Sequence, residues 1–252
     1  MCCIQPPPES VSDTKIFVAE SRKRKGNQFI VYQMSIEARD DVAMTLPIPV
    51  VPQSTEDAVR FISLEDYPEF FSDLKKGFPS PRKKNSFSGG FGGSGGAADL
   101  KVKEVGSFEA SFVPTLNDFN RLDERFRIPR RIWDQIREYA DYGFVVFQLK
   151  PQSLGLHPMA FEFPRRSELK QLFFPTVHIH DGEYHGEADF DHELYAQISE
   201  PIGHQAIMHW QESPLPADRF LKIRKAEGIV SRDSHVYMKT IKGRHRNEDT
   251  WV

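Results

Sequence analysis

The chain has only two cysteines, and they are neighbours, Cys2 and Cys3. Adjacent cysteines cannot staple distant segments, so a disulfide-framed secreted scaffold is excluded and the fold must be held by burial. Long apolar runs are also missing, and no stretch approaches the roughly 20 residues of a membrane-spanning helix. Charge of one sign is not in excess either. The 33 Lys and Arg face 36 Asp and Glu for a net charge of -3, which excludes a protein that coats polyanions through its total charge. The opening Met-Cys-Cys-Ile-Gln-Pro-Pro-Pro has no basic start and no apolar segment, so no signal peptide is expected. A cytoplasmic, reducing setting follows as the expectation, with no membrane and no nucleic-acid partner. A homo-oligomer stays open.

What is present is a chain of 252 residues, ample to bury a core, with 20 Phe among its aromatics. Phe has no polar handle and belongs inside. Thr14 to Glu20 and Gln28 to Ile36 are β-branched or aromatic runs separated by Arg22-Lys-Arg-Lys25 and the turn pair Gly26-Asn27, which predicts a hairpin with its basic residues at a solvated end. Arg82-Lys83-Lys84 reads in the same way. Val42 to Val50 is a further strand. Two short helices are expected next: one begins at the capping pattern Ser54-x-x-Asp57, and the other has Pro68 near its start and Gly77 just past its end. Residues 79–98 contain Ser-Gly-Gly-Phe-Gly-Gly-Ser-Gly-Gly and read as a disordered insertion. They divide one β-rich domain into residues 1–78 and 99–252, the latter ending in a C-terminal helix and tail. A phosphate-cradling loop would need a helix to follow the glycines, whereas Asp99 to Val105 looks like a strand.

Beyond the insertion, Phe108, Ala110 and Phe112 alternate as a strand, Thr115-x-x-Asp118 caps a short helix, and Pro129 to Tyr142 carries the strongest helical stripe, Ile132, Trp133, Ile136 and Ala140. Strands are expected at Phe144 to Leu149, Met159 to Phe163 and Phe173 to His180, and a last helix from Pro216 to Gly228. Val31-Tyr-Gln-Met34 with Ala43-Met-Thr-Leu-Pro47 is echoed by Val146-Phe-Gln-Leu149 with Met159-Ala-Phe-Glu-Phe-Pro164, as if two similar β-rich halves were present. The fold class expected is α+β, mostly antiparallel sheet with short packing helices. The Cys-containing start, the strand Met44-Thr-Leu-Pro-Ile-Pro49 and the strand Phe173-Phe-Pro-Thr-Val-His-Ile-His180 resemble bacterial proteins of unknown function. That resemblance implies no activity and no site residue.

Three classes of function arise from particular residues. The first is a metal site. Asp181-Gly182 between alternating runs predicts a two-residue hairpin that sets His180 opposite Glu183 and His178 opposite His185, on one face. Three imidazoles and a carboxylate suit a divalent metal, Zn²⁺, Fe²⁺ or Mn²⁺, and His157 is a further candidate from a second strand. The same face is equally that of an ordinary wet hairpin, and His192, His204 and His209 follow closely behind it. The second class is a hydrolase in which removal of Met1 leaves Cys2 as nucleophile, its own α-amino group acting as base. Pro6 to Pro8 argue against a well-paired strand there. The third is a non-enzymatic interaction or structural protein, for which Trp251 near the end is the large aromatic with least reason to sit in a core.

Overall fold

The structure is a computed structural model that describes residues 2–79, 103–150, 157–166, 170–198 and 207–252. The chain enters as β1 (Cys2–Gln5) and forms the expected hairpin from β2 (Ser10–Glu20) and β3 (Asn27–Glu37). β4 (Val42–Ile48), β5 (Arg60–Ser63), α1 (Phe70–Lys76), β6 (Lys103–Val105), β7 (Phe108–Val113) and α2 (Arg130–Trp133) follow. The remaining strands are β8 (Gly143–Leu149), β9 (Met159–Pro164), β10 (Phe173–Phe174), β11 (His178–Ile179), β12 (Glu187–Gln197), β13 (Gln211–Glu212), β14 (Tyr237–Arg246) and β15 (Thr250–Trp251).

Two sheets face each other, one ordered β11-β1-β4-β8-β7-β6 and the other β13-β14-β12-β2-β3-β9-β5, and β10 pairs with β15 beside them. Pairing is antiparallel except for β1 with β11 and β2 with β12. Strands from either side of residues 80–102 interleave in both sheets. The sequence echo falls on β3 and β4 and on β8 and β9, and these pair crosswise: β3 with β9 in one sheet and β4 with β8 in the other.

The alternation of side chains along β3 explains the layering. Ile30 and Tyr32 enter the space between the sheets, while Phe29 and Val31 face the opposite side, where α1 and residues 217–236 cover them. On the far side of the six-stranded sheet, Phe144 is covered by Phe119 and Trp133, ring centroids 4.9 and 5.0 Å away. The central strands of the sheets are therefore buried on both faces, which is why strands such as VAMTLPI and GFVVFQL are almost wholly apolar instead of alternating, while β13 and most of β14 at one margin are exposed.

The helices depart most from expectation. α1 ends at Gly77 as predicted, and glycine is required there because a Cβ would stand 2.6 Å from the Phe220 ring. Thr115 caps its segment by accepting the Asn117 N–H (3.2 Å), although the segment is a 3₁₀ helix, Leu116–Arg121. The long helix expected over 129–142 is instead α2 and a 3₁₀ turn, Arg137–Tyr139, joined at Ile136 with ψ of 84°. Ile132, Trp133 and Ile136 of the expected stripe are buried nonetheless, because two successive short turns present a three- to four-residue spacing much as one helix does, but Ala140 is exposed and Tyr139 is buried in its place. The helix expected after Ser54 is replaced by turns and β5, whose Arg60 to Ser63 pair with β9. The last helix is two 3₁₀ turns, Ala217–Arg219 and Ile223–Lys225. The glycine-rich insertion and Arg82 to Lys84 lie outside the described residues, apart from Pro79.

Phe147 is fully buried between the sheets, with the rings of Phe61, Phe161 and Phe108 at 5.7, 6.2 and 6.3 Å. Phe147→Ala should lower unfolding free energy by about 3–5 kcal/mol, while Leu215→Ala at a half-exposed position should change it by less than about 0.5 kcal/mol, both read by urea denaturation. Equal effects would mean that the space between the sheets is not the core.

Candidate functional site

A bend at Asp181-Gly182 is present, without the positive φ at Asp181 that a two-residue hairpin turn needs. Gly182 has φ of +82° and Asp181 Oδ1 accepts the Glu183 N–H at 3.1 Å. The hairpin is not, which corrects the register expected from the sequence. Residues 183–186 do not pair back, and β11 lies parallel to β1, with Cys2 opposite His178 and Cys3 opposite Ile179. The reason is competition for the backbone of β11. β1 occupies one side, and on the other the Asn247 side chain stands in for a strand. Its Oδ1 accepts the His178 N–H (2.7 Å), and its Nδ2 donates to the carbonyls of His178 (2.9 Å) and His185 (2.8 Å).

The four residues expected to converge therefore separate. Glu183 lies at the surface, where Arg131 donates two hydrogen bonds to it at 2.6 and 2.8 Å and holds its carboxyl below the usual range. His185 is exposed and its Nε2 lies 2.8 Å from Asp181 Oδ2. His157 is committed elsewhere. The Ser107 N–H donates to its Nε2 (3.0 Å) and its Nδ1 lies 3.0 Å from the Pro158 carbonyl, which fixes the proton on Nδ1. This imidazole props the β6–β7 turn, where Gly106 has φ of +61° and a Cβ would meet it at 2.6 Å.

His178 and His180 remain together, and the structure adds His192 from the interior face of β12. His178 stacks on His192 with ring centroids 4.6 Å apart and lies 4.9 Å from His180. Phe190 closes the group at 4.5 Å from His178 and 5.0 Å from His192. The Nε2 atoms of His178 and His192 are 2.8 Å apart, so one neutral ring donates to the other. His180 Nε2 and His192 Nδ1 are buried without a partner. Burial holds all three imidazoles far below the ordinary histidine range, His178 at about 3, His180 at about 4 and His192 lowest. Among the described residues, no group of three or more His, Cys, Asp or Glu is arranged to hold a metal ion.

His192 was legible in principle. Ala188, Phe190, His192, Leu194 and Ala196 alternate with Glu187, Asp189, Asp191 and Glu193, a period-2 pattern that places His192 on the buried face. Cys2 opens a paired strand, since the prolines come only after β1 has ended at Gln5. Cys3 is buried. Trp251 docks on its own chain, 4.8 Å from the Phe173 ring.

The last residues complete this end of the molecule. Asp249 is buried, and its Oδ1 accepts the N–H of Thr176 (2.8 Å) and of Val177 (3.2 Å) while Oδ2 accepts the Tyr139 hydroxyl (2.5 Å). Desolvation raises its carboxyl pKa, opposed by these three donors.

No protein-family model matches the chain. Among solved structures, baculovirus P35 is 13% identical with a TM-score of 0.50, over 100% of this chain and 98% of that one. The fold is similar to that of baculovirus P35. A mutated P35 after caspase cleavage is 14% identical with a TM-score of 0.47, covering 98% of each chain. P35 in the caspase-8/P35 complex is 12% identical with a TM-score of 0.46, over 96% of this chain and 90% of that one. At such identities the likeness concerns the fold. These neighbours are viral.

The histidine group has a measurable signature. An imidazole whose pKa falls on folding binds its proton more readily in the unfolded chain. Its contribution to stability is complete above the unfolded value of about 6.5 and is lost as pH falls towards the folded value. Between pH 6.5 and 5, the native chain should therefore lose about 1.5 kcal/mol more stability than His192→Gln, by denaturant titration at each pH. Parallel pH profiles would show that His192 is not held neutral by the fold.

Proposed function

We propose that this chain is a non-enzymatic, protein-binding inhibitor whose partner is a cysteine protease of the caspase class. The observation that carries the reading is the extent of the likeness to baculovirus P35, which runs over 100% of this chain and 98% of that chain. P35 itself has been crystallised with caspase-8 and after caspase cleavage. The architecture suits such a role, because a doubly covered sandwich is a stiff body from which loops are presented to a partner. The buried imidazoles are consistent with it, since their ring nitrogens face each other or the interior and serve packing.

A second reading has one observation in its favour. Cys2 begins a strand paired in the six-stranded sheet, the setting that an amino-terminal cysteine nucleophile requires. The two readings separate by stoichiometry, because an inhibitor is used up as complex and a hydrolase turns over.

In a test of the first reading, the full chain is titrated into active caspases and peptide-substrate cleavage is followed. Activity of at least one caspase should fall in proportion to added protein and reach near zero close to a 1:1 ratio. Undiminished activity across the panel at tenfold excess would overturn the reading.

A further inference from the structure

The basic run Arg22-Lys-Arg-Lys25 forms the exposed loop between β2 and β3, and the proposed function makes no use of it. Beside it lies a cleft of about 30 Å³ whose lining includes Glu20, Arg22, Gln197, Gly228, Ser231 and Ser234. Its floor is fixed by a buried side chain. Gln197 Nε2 donates to the carbonyls of Ser231 (2.9 Å) and Ser234 (3.2 Å), and its Oε1 accepts the Ser231 N–H (2.8 Å). The 231–234 turn is thereby held with two hydroxyls at the cleft, Ser231 Oγ and Ser234 Oγ, 2.9 Å apart.

One cation lines the cleft and a second stands beside its Gly228 edge. Arg22 Nη2 donates to Ser234 Oγ at 3.0 Å, and Lys23 Nζ lies 3.9 Å from where a Cβ on Gly228 would stand. The acids nearby are already matched. Glu20 accepts from Arg165 at 3.0 Å, and Asp218 and Asp233 pair with Arg232 at 3.2 and 3.4 Å. Among the described residues neither Arg22 nor Lys23 has a carboxylate partner. A guanidinium fork, an ammonium and two rotatable hydroxyls around a small opening form a donor-rich, positively charged set. The volume admits about two water-sized groups, enough for the outer oxygens of a tetrahedral oxyanion and too little for a sugar or a base.

We infer that the Arg22–Lys23–Ser231–Ser234 cleft is an oxyanion site that takes a phosphoryl group. Two positive charges match the charge of a phosphate monoester near neutral pH, and a single short basic run supplies too few phosphate contacts for a nucleic-acid strand. The phosphoryl group can be inorganic phosphate or a phosphorylated side chain, because the cleft contacts the oxygens they share.

The test uses the full chain at constant ionic strength. Inorganic phosphate is titrated with ³¹P line width as readout, and a phosphoserine peptide and its unphosphorylated twin are titrated by calorimetry. Saturable binding of phosphate or of the phosphopeptide is expected, weakened at least tenfold in Arg22→Gln and also weakened in Ser234→Ala. Lys25→Gln, on the same loop but outside the cleft lining, should bind as the native chain does. Arg22 is exposed, so its variant should keep the native melting temperature. A peptide that binds more tightly than the free ion assigns the site to a phosphoprotein, and equal affinity assigns it to the phosphoryl group alone. No saturable binding of either probe, or the same loss in Lys25→Gln as in Arg22→Gln, would overturn the inference.

Discussion

The structure depends on one pairing constraint: β1, the first four described residues, lies inside a sheet, between β11 and β4. A strand in that position receives backbone hydrogen bonds on both sides, so β4 and β11 are joined only through it. Its partner β11 is only two residues long, and Asn247 completes that strand's other side with hydrogen bonds to the His178 backbone. Asp249 then caps the N–H groups of Thr176 and Val177, and β15 pairs with β10. Segments far apart in sequence, from Cys2 against His178 to the 69 residues between Asn247 and His178, thus complete one another's backbone bonding, and such non-local pairing makes folding intrinsically slow.

The same constraint explains which parts of the fold were legible. Where pairing is local, as in the β2–β3 hairpin, the turn residues and the β-branched runs predicted the element. Where apolar content alone decides, as in β4, β8 and β9, the strands were also visible, because sheets covered on both faces leave continuous apolar runs. The Asp181-Gly182 hairpin failed because the competition was hidden and the chain only bends there: nothing local says that Cys2 and Asn247 claim the backbone of His178. The helix at 129–142 failed for another reason. The spacing of Ile132, Trp133 and Ile136 reports which residues are buried, and a broken pair of short turns buries them as well as one helix does, while the break puts Tyr139 inside where Ala140 was expected.

The candidate site was half visible. His178 and His180 were placed together by strand alternation; their rings lie 4.9 Å apart, although β11 ends at Ile179. Glu183 and His185 were placed by a register that does not form, and they instead meet Arg131 and Asp181 at the surface. Their position was taken by His192, whose strand carries an alternating acid and apolar pattern that makes the burial intelligible. Imidazoles kept neutral by burial join the two sheets at this end, and their ring nitrogens face the interior instead of an open cleft.

On the proposed reading, all of this is scaffold, and function lies in what the scaffold presents to a protein partner. That claim is tested most directly by native mass spectrometry of the full chain mixed with active caspase-8 at micromolar concentration. The account predicts a species at the summed mass of protease and chain, persisting on dilution. Separate masses only, with a protease that retains full activity, would contradict it.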